Sequence, residues 1–189
     1  MNILLPILLI FGILALVAAP SKNLDVKKLE EDLLKEFDLE IYEFDDSNEE
    51  MQRNKMLDRM KGRFKRHVFG MLCKGMKRYY LITLKDNRMI ADENVSKRLD
   101  VSILHNLILD KLLGIDAEAL ASQKYVDYVK GDPEDAIKAL KEKDYQIALF
   151  LNPTKINEVL EVADAGETMP QKSTFFYPKL VSGLVMYKF

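Results

Sequence analysis

Ile147-Ala148-Leu149-Phe150-Leu151 has no polar side. A strand with one wet face alternates apolar and polar residues, so a five-residue run without alternation predicts a strand covered on both faces. Tyr145 and Gln146 lead into it, and Asn152-Pro153-Thr154 stops it. Residues 125–129 read as another short strand. Lys130-Gly131-Asp132-Pro133 is then a turn, with Asp132 as helix cap and Pro133 in the first helical position. The helix runs to about Lys141. After the interior strand, Thr154 is placed to cap a helix that ends before Gly166. Residues 125–165 therefore read strand, helix, strand, helix. Such a unit makes its two strands parallel neighbours or near-neighbours. The predicted class is α/β, a mixed sheet flanked by helices.

Working outward toward the N-terminus, Asp100 is the expected cap of a helix with Val101, Leu104, Leu107, Ile108 and Leu112 on one side, ended by Gly114. His105 lies inside it. Residues 67–72 and 78–84 predict a hairpin turning at Lys74-Gly75. Residues 39–44 alternate as a strand, and Asp45-Asp46-Ser47-Asn48 is a turn before a helix carrying Met56, Met60 and Phe64 four apart. Asp25 caps a first helix with Val26, Leu29, Leu33 and Phe37 on one face.

Residues 1–21 carry no charged side chain, and from Ile3 to Ala19 every residue is apolar, Gly or Pro. As a helix those 17 residues would reach about 26 Å, against a hydrocarbon core of ~30 Å. Three readings fit. A signal peptide would need a basic start, which is missing. A membrane anchor fits the length; Lys22, Lys27 and Lys28 follow the span, which would leave the domain facing the cytoplasm. Two buried strands broken near Pro6 or Gly12 fit as well, and imply a soluble cytoplasmic protein. The organisation read from the chain is an apolar segment over 1–20, membrane anchor or buried strands, and one globular α/β domain over 21–189.

The 189 residues suffice for one core, and the formal net charge is −2. Cys73 is the only cysteine, so no intrachain disulfide forms. One cysteine and two histidines do not make a structural zinc site. Residues 51–80 hold ten Lys/Arg and one acid, Asp58. A basic stripe can attract nucleic acid or an anionic membrane. With few interleaved aromatics, it reads as a solvated helix face, and nucleic acid is not an expected partner. No dinucleotide, phosphate-loop, nucleophile-elbow or zinc-protease motif is present.

The C-terminal stretch is Met169-Pro170-Gln171-Lys172-Ser173-Thr174-Phe175-Phe176-Tyr177-Pro178-Lys179-Leu180, then Ser182-Gly183-Leu184. Lys172, Ser173, Thr174, Tyr177 and Lys179 are the candidate anion-binding residues. Lysine supplies charge and the hydroxyls supply neutral donors. In extended form Lys172, Thr174 and Phe176 share one face. The three aromatics equally fit a clasp that closes the sheet. Asp127 and Glu167 are the carboxylates considered for a general base.

This stretch, together with Leu99-Asp100-Val101-Ser102-Ile103-Leu104-His105, Leu113-Gly114-Ile115-Asp116 and Phe150-Leu151-Asn152-Pro153-Thr154, resembles the domain of unknown function family ten-fifteen. The resemblance covers roughly residues 22–189 and the C-terminal half of that family's chain. The family's Pro-Thr-His-Arg element stands here as Pro20-Ser21-Lys22, without the histidine. The other half of the family is similar to the ParB-like nucleotide-binding fold, a group that includes small-molecule serine kinases. The resemblance implies an enzyme, or half of one, handling a phosphorylated small molecule or nucleotide, with the N-terminal half on a separate chain. The alternatives are a non-catalytic membrane-tethered binding module, with residues 1–19 in the membrane, and a truncated fragment of a longer protein.

Overall fold

The structure, a computed structural model, describes residues 14–19, 24–85, 94–122, 125–130, 132–170 and 173. Its elements in chain order are β1 (Leu14–Ala18), α1 (Val26–Glu36), β2 (Phe37–Glu43), α2 (Glu49–Gly62), β3 (Val68–Cys73), β4 (Arg78–Leu84), a 3-10 turn (Val95–Arg98), α3 (Asp100–Ile103) continued by a π-helical stretch (Leu104–Asp110), α4 (Ala117–Ala121), β5 (Val126–Lys130), α5 (Pro133–Glu142), β6 (Ile147–Leu151) and α6 (Ile156–Asp164).

The six strands form one sheet in the order β2-β4-β3-β6-β1-β5. Each strand pair is antiparallel. β6 lies between β3 and β1, with Leu149 opposite Met71 on one side and Leu16 on the other. All five of its residues are buried. Ile147, Leu149 and Leu151 face one apolar layer, which includes Leu29 and Leu33 of α1 and Val101 and Ile103 of α3. Ala148 and Phe150 face the other, with Met56 and Met60 of α2 and Ile137 and Leu140 of α5. A strand between two helical layers gains nothing from a polar face, which is why the run does not alternate. The α/β reading of a sheet flanked by helices is therefore correct, but among the described strands the pairing is antiparallel throughout rather than mixed, because β1 is inserted between β5 and β6 and keeps those two from pairing directly. β5 and β6 are parallel near-neighbours, each antiparallel to β1 between them.

β1 comes from the apolar N-terminal segment. Ala15, Leu16, Val17 and Ala18 are essentially fully buried. These residues form one interior strand of the sheet; the other strand of the two-strand reading would fall on residues 1–13. Residues 1–13, which the membrane-anchor reading also needs, lie outside the described residues. Among the described residues no helix is long and apolar enough to cross a membrane.

Local capping signals behave as expected at three places. The Asp25 carboxylate accepts from Lys28 N at 3.1 Å. Asp132 accepts from Glu134 N at 2.9 Å, with Pro133 opening α5. Gly75 turns the β3–β4 hairpin with φ +79°, a conformation costly for residues with a Cβ. Phe64, grouped with Met56 and Met60 by spacing, is different. It follows the end of α2 and is 39% exposed.

Gly70 sits where α2 crosses the sheet. A Cβ there would meet Met56 Sδ at 2.7 Å and Phe150 Cβ at 3.2 Å. Met56 can swing away; the Phe150 backbone-proximal carbon cannot. Gly70→Ala should lower stability by about 1–3 kcal/mol in urea unfolding, and Gly70→Val by more. A Gly70→Ala protein as stable as the unmodified one would place α2 farther from β3.

Candidate functional site

At one end of the sheet, the start of β3, the end of β4 and the end of β6 come together with the end of α2. Val68 pairs with Thr83, and Phe69 with Leu151. The chain on either side of those residues supplies polar groups. Arg63 donates to Thr83 Oγ1 at 3.1 Å and pairs with Glu40. Arg66 reaches the Leu84 carbonyl at 3.4 Å. Lys155 Nζ lies 5.1 Å above the Phe64 ring and 2.7 Å from Glu158. Asn152, 5% exposed, donates from Nδ2 to Met60 O at 3.1 Å, and its Oδ1 is buried with no partner among the described residues.

His67 enters this cluster by its position just before β3. Its Nδ1 is 2.6 Å from Asp100 Oδ1, and both side chains are about seven-eighths buried. Asp100 was expected to cap the following helix. Leu99 occupies that place instead, and the Asp100 carboxylate crosses to the imidazole. A carboxylate on Nδ1 holds the ring in one orientation and leaves Nε2 to exchange a proton. Periodicity offered no signal for this pair, because the partners are 33 residues apart. Removing the carboxylate with Asp100→Ala should cost about 1–3 kcal/mol in urea unfolding. An unchanged midpoint would show the pair to be incidental.

Of the candidate anion-binding residues, Ser173 is described. It is 5% exposed, and its hydroxyl donates to Pro170 O at 2.6 Å. Its carbonyl accepts from the Thr154 hydroxyl at 2.7 Å. This corrects Thr154, which was expected to cap α6; Lys155 occupies the cap position and the Thr154 hydroxyl instead donates to the Ser173 carbonyl. Lys172, Thr174, Tyr177 and Lys179 lie outside the described residues.

The two carboxylates considered for a general base are already engaged. Glu167 caps the 3-10 turn, accepting from Val95 N and Ser96 N at 2.9 Å and from Ser96 Oγ at 2.5 Å. The Ser96 hydrogen bonds hold its carboxyl below the usual range. Asp127 accepts from the Tyr145 hydroxyl and lies 3.9 Å from Lys143 Nζ. The basic stretch over 51–80 is also tied up in part: Arg53 pairs with Glu134, Arg59 and Arg63 with Glu40, Lys77 with Asp46 and Arg78 with Glu30. These pairs fit a charged helix face and turn more closely than a track for a polyanion.

Two further polar sites are structural in character. At the opposite end of the sheet, Glu30 accepts from Tyr80 and pairs with Arg78 at 2.9 Å, and the guanidinium stacks 5.5 Å over the Tyr80 ring. Nearby Cys73 is buried, and burial pushes its thiol up to about 12, so it carries no reactive thiolate at neutral pH. His105 lies in the π-helical stretch, with Nε2 3.1 Å from the Tyr128 hydroxyl of β5. Burial pulls its pKa down to about 4.

No family model, curated protein or solved structure matches the chain.

Proposed function

We propose that the chain binds a phosphorylated small molecule or nucleotide at the sheet end built by Arg63, Arg66, His67, Asn152, Lys155 and Ser173, and that it acts as one half of an enzyme on such a compound. The observation that carries the reading is the Thr154–Ser173 hydrogen bond of 2.7 Å. It supports the reading because Ser173, one of the candidate anion-binding residues, lies at the same sheet end as two arginines, a lysine and a carboxylate-held imidazole. Arginine offers a planar fork for phosphate oxygens, and the buried Asn152 amide adds a neutral polar group. His67, oriented by Asp100, is the group suited to a proton transfer at Nε2. The family resemblance in the C-terminal stretch points to the same chemistry. Burial of Ala15, Leu16, Val17 and Ala18 in the sheet favours a soluble form over a tether through residues 1–19.

The test is a melting curve of the full chain with inorganic phosphate, phosphoserine or a nucleoside triphosphate at about millimolar concentration. Ligand at ten times its Kd stabilises by about 1.4 kcal/mol, or roughly 3–6 °C for a chain of this size. Arg66→Ala should abolish that shift while leaving the melting temperature without ligand close to that of the parent. If none of the three anions shifts the unmodified protein, the reading fails.

A further inference from the structure

β2 is the outermost strand on its side of the sheet, and among the described residues no strand pairs with its far edge. Phe44 N donates to Lys77 O at 3.0 Å, and Glu36 O accepts from Lys85 N at 3.0 Å. Antiparallel bonding alternates along a strand, so Asp38, Glu40 and Tyr42 turn their N–H and C=O groups to β4. Leu39, Ile41 and Glu43 turn theirs outward. Folded chains commonly guard such an edge with a lysine, a proline, a bulge or a very short strand. β2 has none of these. Its seven residues include no Lys, Arg or Pro, and they pair with β4 in unbroken register from Phe37 to Glu43.

The side chains beside this edge carry no net charge. Glu40, Glu43 and Asp58 line the groove between β2 and α2 together with Lys55, Arg59 and Arg63. Arg59 and Arg63 both pair with Glu40. Such a lining selects neither an acidic nor a basic strand, and it is balanced against a copy of itself. The other face of the strand is apolar at its middle. There Ile41 is 49% exposed, and Leu39 next to it on that face is half-buried.

We propose that β2 pairs antiparallel with β2 of a second copy, about a two-fold axis at Ile41, and makes one sheet continuous across two chains. In that register the outward residues meet one another. Ile41 faces the partner's Ile41 and Leu39 faces the partner's Glu43, each pair exchanging two backbone hydrogen bonds. On the α2 side Glu40 stands opposite the partner's Tyr42, whose hydroxyl can donate to the carboxylate; within one strand the same two groups lie 3.4 Å apart. No acid is set directly against an acid. The two copies of Glu40 are diagonal neighbours, each held by Arg59 and Arg63 of its own chain. An axis at Glu40 instead would set Glu40 against its own copy, a like-charge pair that opposes that register. The edge is thus complementary to itself in backbone, in charge and in the apolar residue at its centre.

The experiment is sedimentation velocity of the full chain across the micromolar range, which should show a monomer–dimer equilibrium. Ile41→Pro removes the outward N–H at the axis without touching the β4 ladder, and proline is tolerated on an edge. It should weaken self-association at least about tenfold while cooperative melting persists. Ile41→Lys sets two like charges together at the same point, should have the same effect, and tests the proposal even if Ile41→Pro does not fold. Cys73 is buried, so an introduced surface thiol is the one that oxidises. Ile41→Cys should give a disulfide-linked dimer on mild oxidation, because opposed residues of a bonded pair lie about 5.5 Å apart at Cα, within disulfide reach. Asp38→Cys should not, since its copy would lie about 20 Å away along the strands. A monomer at every concentration, a dimer unchanged in both Ile41→Pro and Ile41→Lys, or linkage of Asp38→Cys as readily as Ile41→Cys would overturn the proposal. So would a monomeric chain whose Ile41 amide gains protection from hydrogen exchange only with an added peptide, which would assign the edge to a foreign strand.

Discussion

Leu149→Asp abolishes the fold. Leu149 is fully buried, with Met71 across one ladder and Leu16 across the other. Truncating a buried leucine alone typically costs about 2–5 kcal/mol. Aspartate adds a carboxylate with neither water nor a counter-charge in the apolar layer it would enter, at several kcal/mol more. Together these approach or exceed the stability of about 5–15 kcal/mol that a whole domain possesses. The expected readout is loss of the near-UV signal and no cooperative melting transition, with Leu149→Ala folded but weakened by about 2–5 kcal/mol. A soluble Leu149→Asp protein that melts cooperatively would show that β6 is not the sheet's inner strand.

His105 makes the protein acid-labile. The imidazole is half-buried beside Tyr128, with its pKa lowered to about 4 from an ordinary value near 6.5. The unfolded chain therefore binds the proton first as pH falls, and stability must rise with pH across the window between the two values. The contribution is fully present above about pH 6.5 and is lost progressively down to about pH 4. Between pH 7.5 and pH 4.5 the loss from this residue is about 2.5 kcal/mol. Glu167, Asp32 and Asp45, whose carboxyls are held below their usual range, lose their contribution in the same direction, at the bottom of that window for Glu167 and below it for the two aspartates. The comparison with His105→Gln isolates the histidine. Urea unfolding at the two pH values should show the parent losing about 2 kcal/mol more than the variant. Equal losses would mean that the ring is hydrated in the folded state.

What the chain announces by itself is local. Pro133 after Asp132, Asp25 before Val26, Gly75 at the hairpin and the five apolar residues of β6 each act through the backbone within a few positions, so their roles follow from residue type and spacing. The class of sheet with helices on both faces follows from them, because a strand with no polar side needs two covers. Tertiary structure alone decided which strand lies beside β6. An apolar run suits a bilayer and a sheet interior equally in transfer energy, and only pairing across more than a hundred residues places Leu14–Ala18 between β5 and β6. The same holds for the polar groups of the candidate site. Asp100 has the side chain of a helix cap and Thr154 likewise, yet their hydrogen bonds go to His67 and Ser173. A polar side chain takes the best partner within reach, and reach is set by the folded chain rather than by sequence separation. His105 carries no mark of acid lability in its neighbours along the chain; that comes from the packing of the π-helical stretch against β5, which removes the water a charged imidazole requires.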